Sequence, residues 1–213
     1  MSERPFLQRF GYAALRTFAR LGGVLVFRMR CKGREHIPPS GPLLVCANHQ
    51  SFLDPVLVGL AFDRRLNYLA RQSLFRFAPF RLLIQFLDAI PLDREGLGLA
   101  GLRESMRRIK REEAVLLFPE GTRTPDGSVQ PLQPGFCALA RRGNVTVLPV
   151  GFDGAFDAWP RTAKLPSASK IHLCVGEPLS PEEIGKLDDK SLVSEVERRI
   201  RACHQQAKAG RHR

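Results

Sequence analysis

Short apolar runs alternate with amphipathic stretches along most of this chain. We interpret the apolar runs as buried strands, predicted near 43–47, 114–118, 145–150 and 171–175. The stretches between them have helical spacing, and helices are predicted near 55–62, 96–111 and 135–142. This alternation is typical of α/β proteins. We therefore predict one domain whose mostly parallel or mixed sheet is covered by helices on both faces.

The first 30 residues have the pattern of an amphipathic helix. On a helical wheel with about 100° per residue, Arg9, Arg16 and Arg20 fall within about 40° of one another. Apolar residues occupy the opposite side: Phe10, Ala14, Phe18, Leu21 and Leu25. A helix with these two sides is typical of the membrane interface. The alternative is a helix that packs on the core of its own protein.

The length of 213 residues suits a single domain with a sizeable core. We divide the chain into an interfacial helix at 1–30, a main domain at 31–203 and a basic tail at 204–213, which we expect to fray. The start lacks the apolar region and cleavage site of a signal peptide. Each apolar run is shorter than the roughly eighteen residues of a membrane span, so we expect peripheral membrane association.

The net charge of +12 requires an anionic partner. The basic residues form no recognisable nucleic-acid module, so we expect anionic lipid and not nucleic acid. The five cysteines are odd in number and scattered, which indicates reduced thiols in the cytoplasm. The histidines and cysteines also lack the spacing of metal ligands, so we expect no metal.

The sequence Asn-His-Gln-Ser-Phe-Leu-Asp at 48–54 follows the first predicted strand. It places His49 in a short strand-to-helix loop and Asp54, a good N-cap residue before Pro55, at the start of the next helix. A carboxylate five residues away can fold back onto the imidazole and fix its tautomer, leaving the other ring nitrogen to accept a proton. Taken alone, the spacing favours a helix cap and a core histidine over a catalytic pair.

About seventy residues later, Phe-Pro-Glu-Gly-Thr-Arg at 118–123 ends another predicted strand. A tight turn here exposes backbone N–H groups of Gly121 and Thr122 beside the guanidinium of Arg123, a combination suited to phosphate. Glu120 cannot bind phosphate directly, and we predict that it orients Arg123 or a substrate hydroxyl. The alternative is an ordinary turn.

A phenylalanine-rich segment at 74–87 has no assigned role. It could line a slot for an acyl chain, enter lipid or belong to the core, and its periodicity does not decide between these.

With these motifs in view, the chain resembles the glycerolipid acyltransferases, and among them the bacterial 1-acyl-sn-glycerol-3-phosphate acyltransferases. Two of the family's blocks are complete, at 48–54 and 118–123. A further block, an apolar strand carrying proline, is matched at 147–152. The remaining block, an apolar stretch ending in arginine, is matched imperfectly at 88–94. The resemblance covers about residues 30–178.

The chain departs from the family pattern in two places. In the imperfect block, Asp88 and Pro91 replace the usual glycine and aromatic residue, although Arg94 is present. Arg71 stands where the family commonly has lysine, which keeps the charge but changes its geometry.

The resemblance implies direct acyl transfer without an acyl-enzyme. His49, held by Asp54, would deprotonate the free hydroxyl of a lysophospholipid, which then attacks the thioester of acyl-CoA or acyl-carrier protein. Arg71 would contact phosphate or the developing oxyanion. The phosphate-binding region would comprise Arg94, Glu120, Gly121, Thr122 and Arg123. No cofactor beyond the thioester co-substrate is implied.

We therefore predict acylation of the sn-2 hydroxyl of 1-acylglycerol 3-phosphate to phosphatidic acid, at the cytoplasmic face of the cell membrane. Within the class, the alternative acceptor is another lyso-lipid, such as a lyso-ornithine lipid or a lysophospholipid with a head group. Outside the class, the alternatives are a catalytically idle lipid- or phosphate-binding protein and a basic nucleic-acid binder.

Overall fold

Seven strands form one mixed sheet in the order β1-β7-β6-β2-β5-β3-β4. A computed structural model describes residues 17, 21–71, 90–92 and 99–212. The strands are β1 Arg30–Lys32, β2 Leu43–Ala47, β3 Leu66–Arg71, β4 Ile90–Leu92, β5 Ala114–Leu117, β6 Thr146–Asp153 and β7 His172–Val175. Neighbouring strands are parallel except for β6 and β7. The predicted mostly parallel α/β sheet is thus confirmed.

Helices cover both faces of this sheet, as predicted. The described part of a first helix, α1, covers residues 21–27. The others are α2 Asp54–Ala61, α3 Leu99–Ile109, α4 Cys137–Arg142, α5 Ala155–Ala158, α6 Pro181–Gly185 and α7 Asp189–Arg211. Short 3₁₀ turns lie at Arg34–His36 and Pro134–Phe136. Each helix of the described ranges is too short or too polar to span a bilayer.

The central strand β2 separates two hydrophobic clusters. All five of its residues are buried, as its uninterrupted apolar run predicts. Leu43, Val45 and Ala47 join the first cluster, with α2 and α5. Leu44 and Cys46 join the second, with α3, α4 and α7. Alternation along one strand therefore places the two clusters on opposite faces of the sheet.

Parallel pairing aligns the ends of three strands at one edge. β2 pairs with β5 on one side and with β6 on the other, with Cys46 opposite Leu117 and Ala47 opposite Val150. The loops that follow these strands therefore leave from the carboxyl edge of the sheet, where ligands bind in open α/β folds.

The predicted fraying of the C-terminal residues is wrong. Helix α7 continues through this segment to Arg211. Cys203 and Ala207 are buried one turn apart, and Arg211 bonds Asp153 at 2.9 Å and also Asp157. Burial of small side chains stabilises a segment that looks polar in sequence, because only one side of the helix contacts the sheet.

All three arginines of the predicted N-terminal stripe lie outside the described residues. Of the predicted apolar side, Leu21 and Leu25 are described, and both are exposed on α1. Phe27, at the end of α1, and Met29, two residues later, pack against the first cluster. The segment 74–87 also lies outside the described residues.

Candidate active site

His49 and Asp54 form a hydrogen-bonded dyad at the carboxyl edge of β2. The distance from His49 Nδ1 to Asp54 Oδ2 is 2.7 Å. The same oxygen accepts the backbone N–H groups of Gln50 at 2.6 Å and Ser51 at 2.7 Å. Helix α2 begins at Asp54 itself, so this residue is not the predicted N-cap. Its carboxylate instead folds back over the preceding turn, which explains the five-residue spacing.

The dyad is buried on the carboxylate side and open on the imidazole side. Asp54 is fully buried, whereas the His49 side chain is 20% exposed. Burial raises the pKa of Asp54, and the hydrogen bond from His49 and two backbone donors oppose that rise. His49 stacks on Phe118, with ring centroids 4.1 Å apart. Because Nδ1 is bonded to Asp54, Nε2 is the ring nitrogen that remains to accept a proton.

The loop after β5 holds the backbone of His49 from both sides. Glu120 Oε1 accepts the His49 N–H at 3.0 Å, and the N–H of Thr124 donates to the His49 carbonyl at 2.8 Å. The two sequence motifs, separated by about seventy residues, therefore form one site.

Glu120 is a buried support for His49 and not part of an open phosphate surface. Its side chain is 4% exposed. Burial raises the pKa of Glu120 to about 8, backbone N–H groups of His49 and Gln130 oppose the rise, and the charge of Asp54 adds to it. Burial therefore favours the protonated form of Glu120, which avoids a second buried negative charge beside Asp54.

The turn at 121–123 has the predicted tight geometry. Gly121 has a φ of 73°, a left-handed conformation that glycine adopts without strain. Its N–H donates to Phe118 within the turn at 3.1 Å, so the Gly121 N–H is engaged there and is not a free phosphate donor. Gly121 and Thr122 are exposed.

Arg123 lies on an aromatic ring. Its guanidinium carbon is 3.5 Å from the centroid of Phe52, and Phe52 packs in turn against Trp159 with centroids 5.5 Å apart. This contact restricts the orientation of the guanidinium.

Comparison with known proteins identifies the family. A model of the family described as Acyltransferase matches residues 28–153, more than half of the chain. The chain belongs to the Acyltransferase family. The described site residues of this acyltransferase, from His49 to Arg123, all lie within the matched range.

Relatives of this acyltransferase have consistent names. This chain is 27% identical to the 1-acyl-sn-glycerol-3-phosphate acyltransferase of Bacillus subtilis, over 88% of this chain and 90% of that protein. It is 26% identical to the human 1-acyl-sn-glycerol-3-phosphate acyltransferase alpha, over 76% of this chain and 60% of that protein. The crystal structure of the 1-acyl-sn-glycerophosphate (LPA) acyltransferase PlsC from Thermotoga maritima is similar with a TM-score of 0.84 and 26% identity, over 98% of this chain and 84% of that one.

Three buried polar residues of the acyltransferase loop had no predicted role. Asn48 bonds the backbone of Phe152 twice, donating to its carbonyl at 3.0 Å and accepting its N–H at 2.9 Å. Gln50 donates to the carbonyl of Gly127 at 2.6 Å and accepts the N–H of Phe156 at 3.2 Å. These contacts attach the loop after β2 to the neighbouring strand and loops.

Ser51 completes this support. Its hydroxyl donates to the carbonyl of Trp159 at 2.9 Å and accepts the N–H of Leu53 at 3.2 Å. In the sequence, these supporting residues are indicated by a run of polar residues between two apolar segments. Only their complete burial identifies them as structural supports of the dyad.

Two predicted site residues are only partly placed. Arg71 ends β3, opposite Leu92 of β4, at the same edge of the sheet as the dyad, and its side chain is not described. Arg94 lies outside the described residues. Their roles stay predictions.

Proposed function

We propose that this acyltransferase moves a fatty acyl group from a thioester to the sn-2 hydroxyl of 1-acylglycerol 3-phosphate, giving phosphatidic acid. The observation that carries the proposal is the 2.7 Å contact between His49 and Asp54, held against the arginine-bearing turn of the second motif. The names of the relatives support the acceptor.

The dyad supplies a general base for direct transfer. His49 Nε2 accepts the proton of the acceptor hydroxyl. At the same time, the hydroxyl oxygen of the acceptor forms a bond to the carbonyl carbon of the thioester. Asp54 fixes the tautomer with the proton on Nδ1 and stabilises the imidazolium that forms. The carbon–sulfur bond then breaks, and the leaving thiolate takes the proton from Nε2. The products are the ester and a free thiol, and His49 returns to its neutral form.

The turn at 121–123 is proposed to hold the phosphate of the acceptor. Arg123 can donate two parallel hydrogen bonds to phosphate, and its contact with Phe52 restricts its orientation. Arg94 is proposed as a second phosphate ligand and Arg71 as a contact for phosphate or oxyanion. We propose that a phosphate held here brings the hydroxyl of a small glycerol backbone close to His49.

Helix α1 is proposed to dock on the cytoplasmic face of the membrane, where a long-chain lysolipid resides. Four of its apolar side chains are more than half exposed: Leu21, Val24, Leu25 and Val26. Contiguous exposed apolar side chains of this kind mark interaction surfaces, and an interfacial helix uses them to enter the headgroup region.

Thiol release with lysolipid acceptors tests this function. Purified protein with an acyl-CoA should release free thiol in the presence of 1-acylglycerol 3-phosphate, with phosphatidic acid identified by mass spectrometry. A lyso-ornithine lipid and head-grouped lysophospholipids are assayed in parallel, and preference for one of them would reassign the acceptor. His49→Ala should lower the rate by about two to four orders of magnitude. Near-normal turnover by that variant would refute the mechanism.

A further inference from the structure

A basic loop with one strongly exposed apolar side chain follows helix α5. This basic loop covers residues 160–170, and its Leu165 is 80% exposed. Arg161, Lys164 and Lys170 are exposed in the same loop, whose sequence contains no acidic residue. An apolar side chain this exposed contributes nothing to the core, and the cations beside it suit an anionic surface.

The charge of the basic loop is not compensated by its surroundings. Among the residues that the structure describes, none forms an ion pair with Arg161, Lys164 or Lys170. The acidic residue nearest to them in the sequence, Asp157, is bonded to Arg211. The loop therefore presents three positive charges to solvent, and charge complementarity favours an anionic partner.

Hydrogen bonds fix the shape of the basic loop. The indole N–H of Trp159 donates to the carbonyl of Ala163 at 3.1 Å. The backbone N–H of Ser167 donates to the carbonyl of Ala158 at 2.7 Å. Because these bonds close the loop on both sides of Leu165, the leucine is held outwards before any partner binds, which lowers the entropy cost of binding.

The strand register places the basic loop at the edge of the sheet that carries the dyad. Asp153 at the end of β6 lies opposite His172 at the start of β7, so the connection between these strands crosses the carboxyl edge. At the start of the loop, Trp159 packs against Phe52 with ring centroids 5.5 Å apart. The basic loop therefore lies beside the ring that contacts the guanidinium of Arg123.

Helix α1 ends at the same edge. Strand β1 starts with Arg30 opposite His172. The carbonyl of Phe27, at the end of α1, accepts the N–H of Ile171 at 2.9 Å, and Ile171 directly follows the basic loop. The end of α1 and the end of the loop are therefore neighbours, and a bilayer that contacts α1 can meet the loop as well.

We propose that the basic loop is a second lipid contact, in which Leu165 enters the headgroup region of an anionic bilayer and the three cations bind lipid phosphates. A single leucine is too small an apolar centre for a stable protein interface, whereas interfacial binding combines a few apolar side chains with positive charge.

This contact also assigns the side from which the acceptor arrives. With the basic loop and α1 on the bilayer, lipid lies next to Phe52, which is 42% exposed, and a lysolipid passes from there to the phosphate turn. The route of the acceptor rests on the proposed function, whereas the lipid contact itself does not.

A tryptophan at position 165 tests whether the basic loop enters lipid. Trp159 is the single tryptophan of the chain, so comparison of Leu165→Trp with wild type isolates the new fluorophore. On addition of phosphatidylglycerol vesicles, its emission should shift to shorter wavelength and should be quenched by brominated acyl chains more strongly than in wild type. Unchanged emission of Leu165→Trp in vesicles that co-sediment with the protein would overturn the inference and leave the docking of α1 intact.

Substitutions that remove the proposed contacts test their contribution to vesicle binding. Leu165→Ser should weaken binding to phosphatidylglycerol vesicles about tenfold, because it removes apolar burial. Arg161→Gln with Lys164→Gln should also weaken it about tenfold, and less at high salt. The matched control, Lys186→Gln with Lys190→Gln, changes exposed lysines in the segment that packs against the second cluster, and should stay within about twofold. Equal binding by wild type and both loop variants would overturn the inference.

Activity measurements separate the lipid contact from the proposed function. Vesicle binding is measured without a thioester, so a protein that transfers no acyl group but gives the expected fluorescence and binding results would refute the function and support the contact. In an active protein, Leu165→Ser should lower kcat/KM for a long-chain lysolipid in vesicles about tenfold and leave kcat/KM for a short-chain, water-soluble acceptor within about twofold of wild type. An equal loss with both acceptors would show that Leu165 supports the site and not lipid binding, and would overturn the inference.

Discussion

Replacing Phe52 with leucine should weaken binding of the acceptor while leaving the dyad intact. The ring lies 3.5 Å from the guanidinium carbon of Arg123, and leucine keeps apolar volume but removes the aromatic face. A cation–π contact contributes about 0.5–1 kcal/mol at exposed sites and about 2 kcal/mol when desolvated. Phe52 is 42% exposed, so we expect about 1 kcal/mol, which is a roughly fivefold fall in kcat/KM for the acceptor.

The assay uses a short-chain, water-soluble acceptor at saturating thioester, so that membrane binding does not enter the rate. Phe52→Tyr is the matched control, because it keeps the ring over Arg123 and should retain most of kcat/KM. The KM for the thioester should not change in either variant. An unchanged kcat/KM in Phe52→Leu, or an equal loss in Phe52→Tyr, would refute the role assigned to the ring.

Three further predictions concern the phosphate turn, the supports of the dyad and the membrane. Arg123→Ala should raise the KM for the acceptor more than the KM for the thioester, since it removes a charge-assisted contact of about 1.5–3 kcal/mol. Steady-state kinetics with each substrate varied in turn measure both values, and a rise in the KM for the thioester alone would contradict this role. The folded state binds the Glu120 proton with a pKa of about 8, raised by burial from 4.5, so the free energy of unfolding should fall as pH rises between these values, by up to about 5 kcal/mol. Glu120→Gln cannot ionise and should lack this loss, which urea titrations at pH 5 and pH 8 measure; parallel pH profiles of variant and wild type would contradict it. Deletion of residues 1–27 should reduce salt-sensitive co-sedimentation with anionic vesicles and activity on long-chain lysolipid, but should spare activity on the short-chain acceptor; equal binding by both forms would place the membrane contact elsewhere.

The local parts of this site could be predicted from the sequence. The apolar run of β2 and the turn after it are formed by neighbouring residues, so the contact between His49 and Asp54 could be predicted from the strand-to-helix turn and the complete motif, although not from their five-residue spacing alone. The same holds for the turn at Gly121, where glycine permits the left-handed backbone. In each case the interacting groups are a few residues apart.

The short and polar elements were harder to predict. Strands β1 and β4 have three residues each, too few to show a period, and they form because β7 and β3 supply hydrogen bonds. The end of α7 has a polar sequence and is helical because Cys203 and Ala207 contact the sheet. Periodicity does not reveal an element whose stability comes from its neighbours.

What the sequence determined by itself was the class of fold, the dyad and the presence of a turn suited to anions, because periodicity, turn chemistry and short-range hydrogen bonding decide these features. The tertiary structure alone decided how they combine. The order of strands places β2 between β5 and β6, which brings Glu120 beneath a histidine 71 residues away and Asn48 beside a strand residue 104 positions away. Such contacts depend on which strands pair, and that choice minimises the free energy of the whole packed sheet and not that of any single segment.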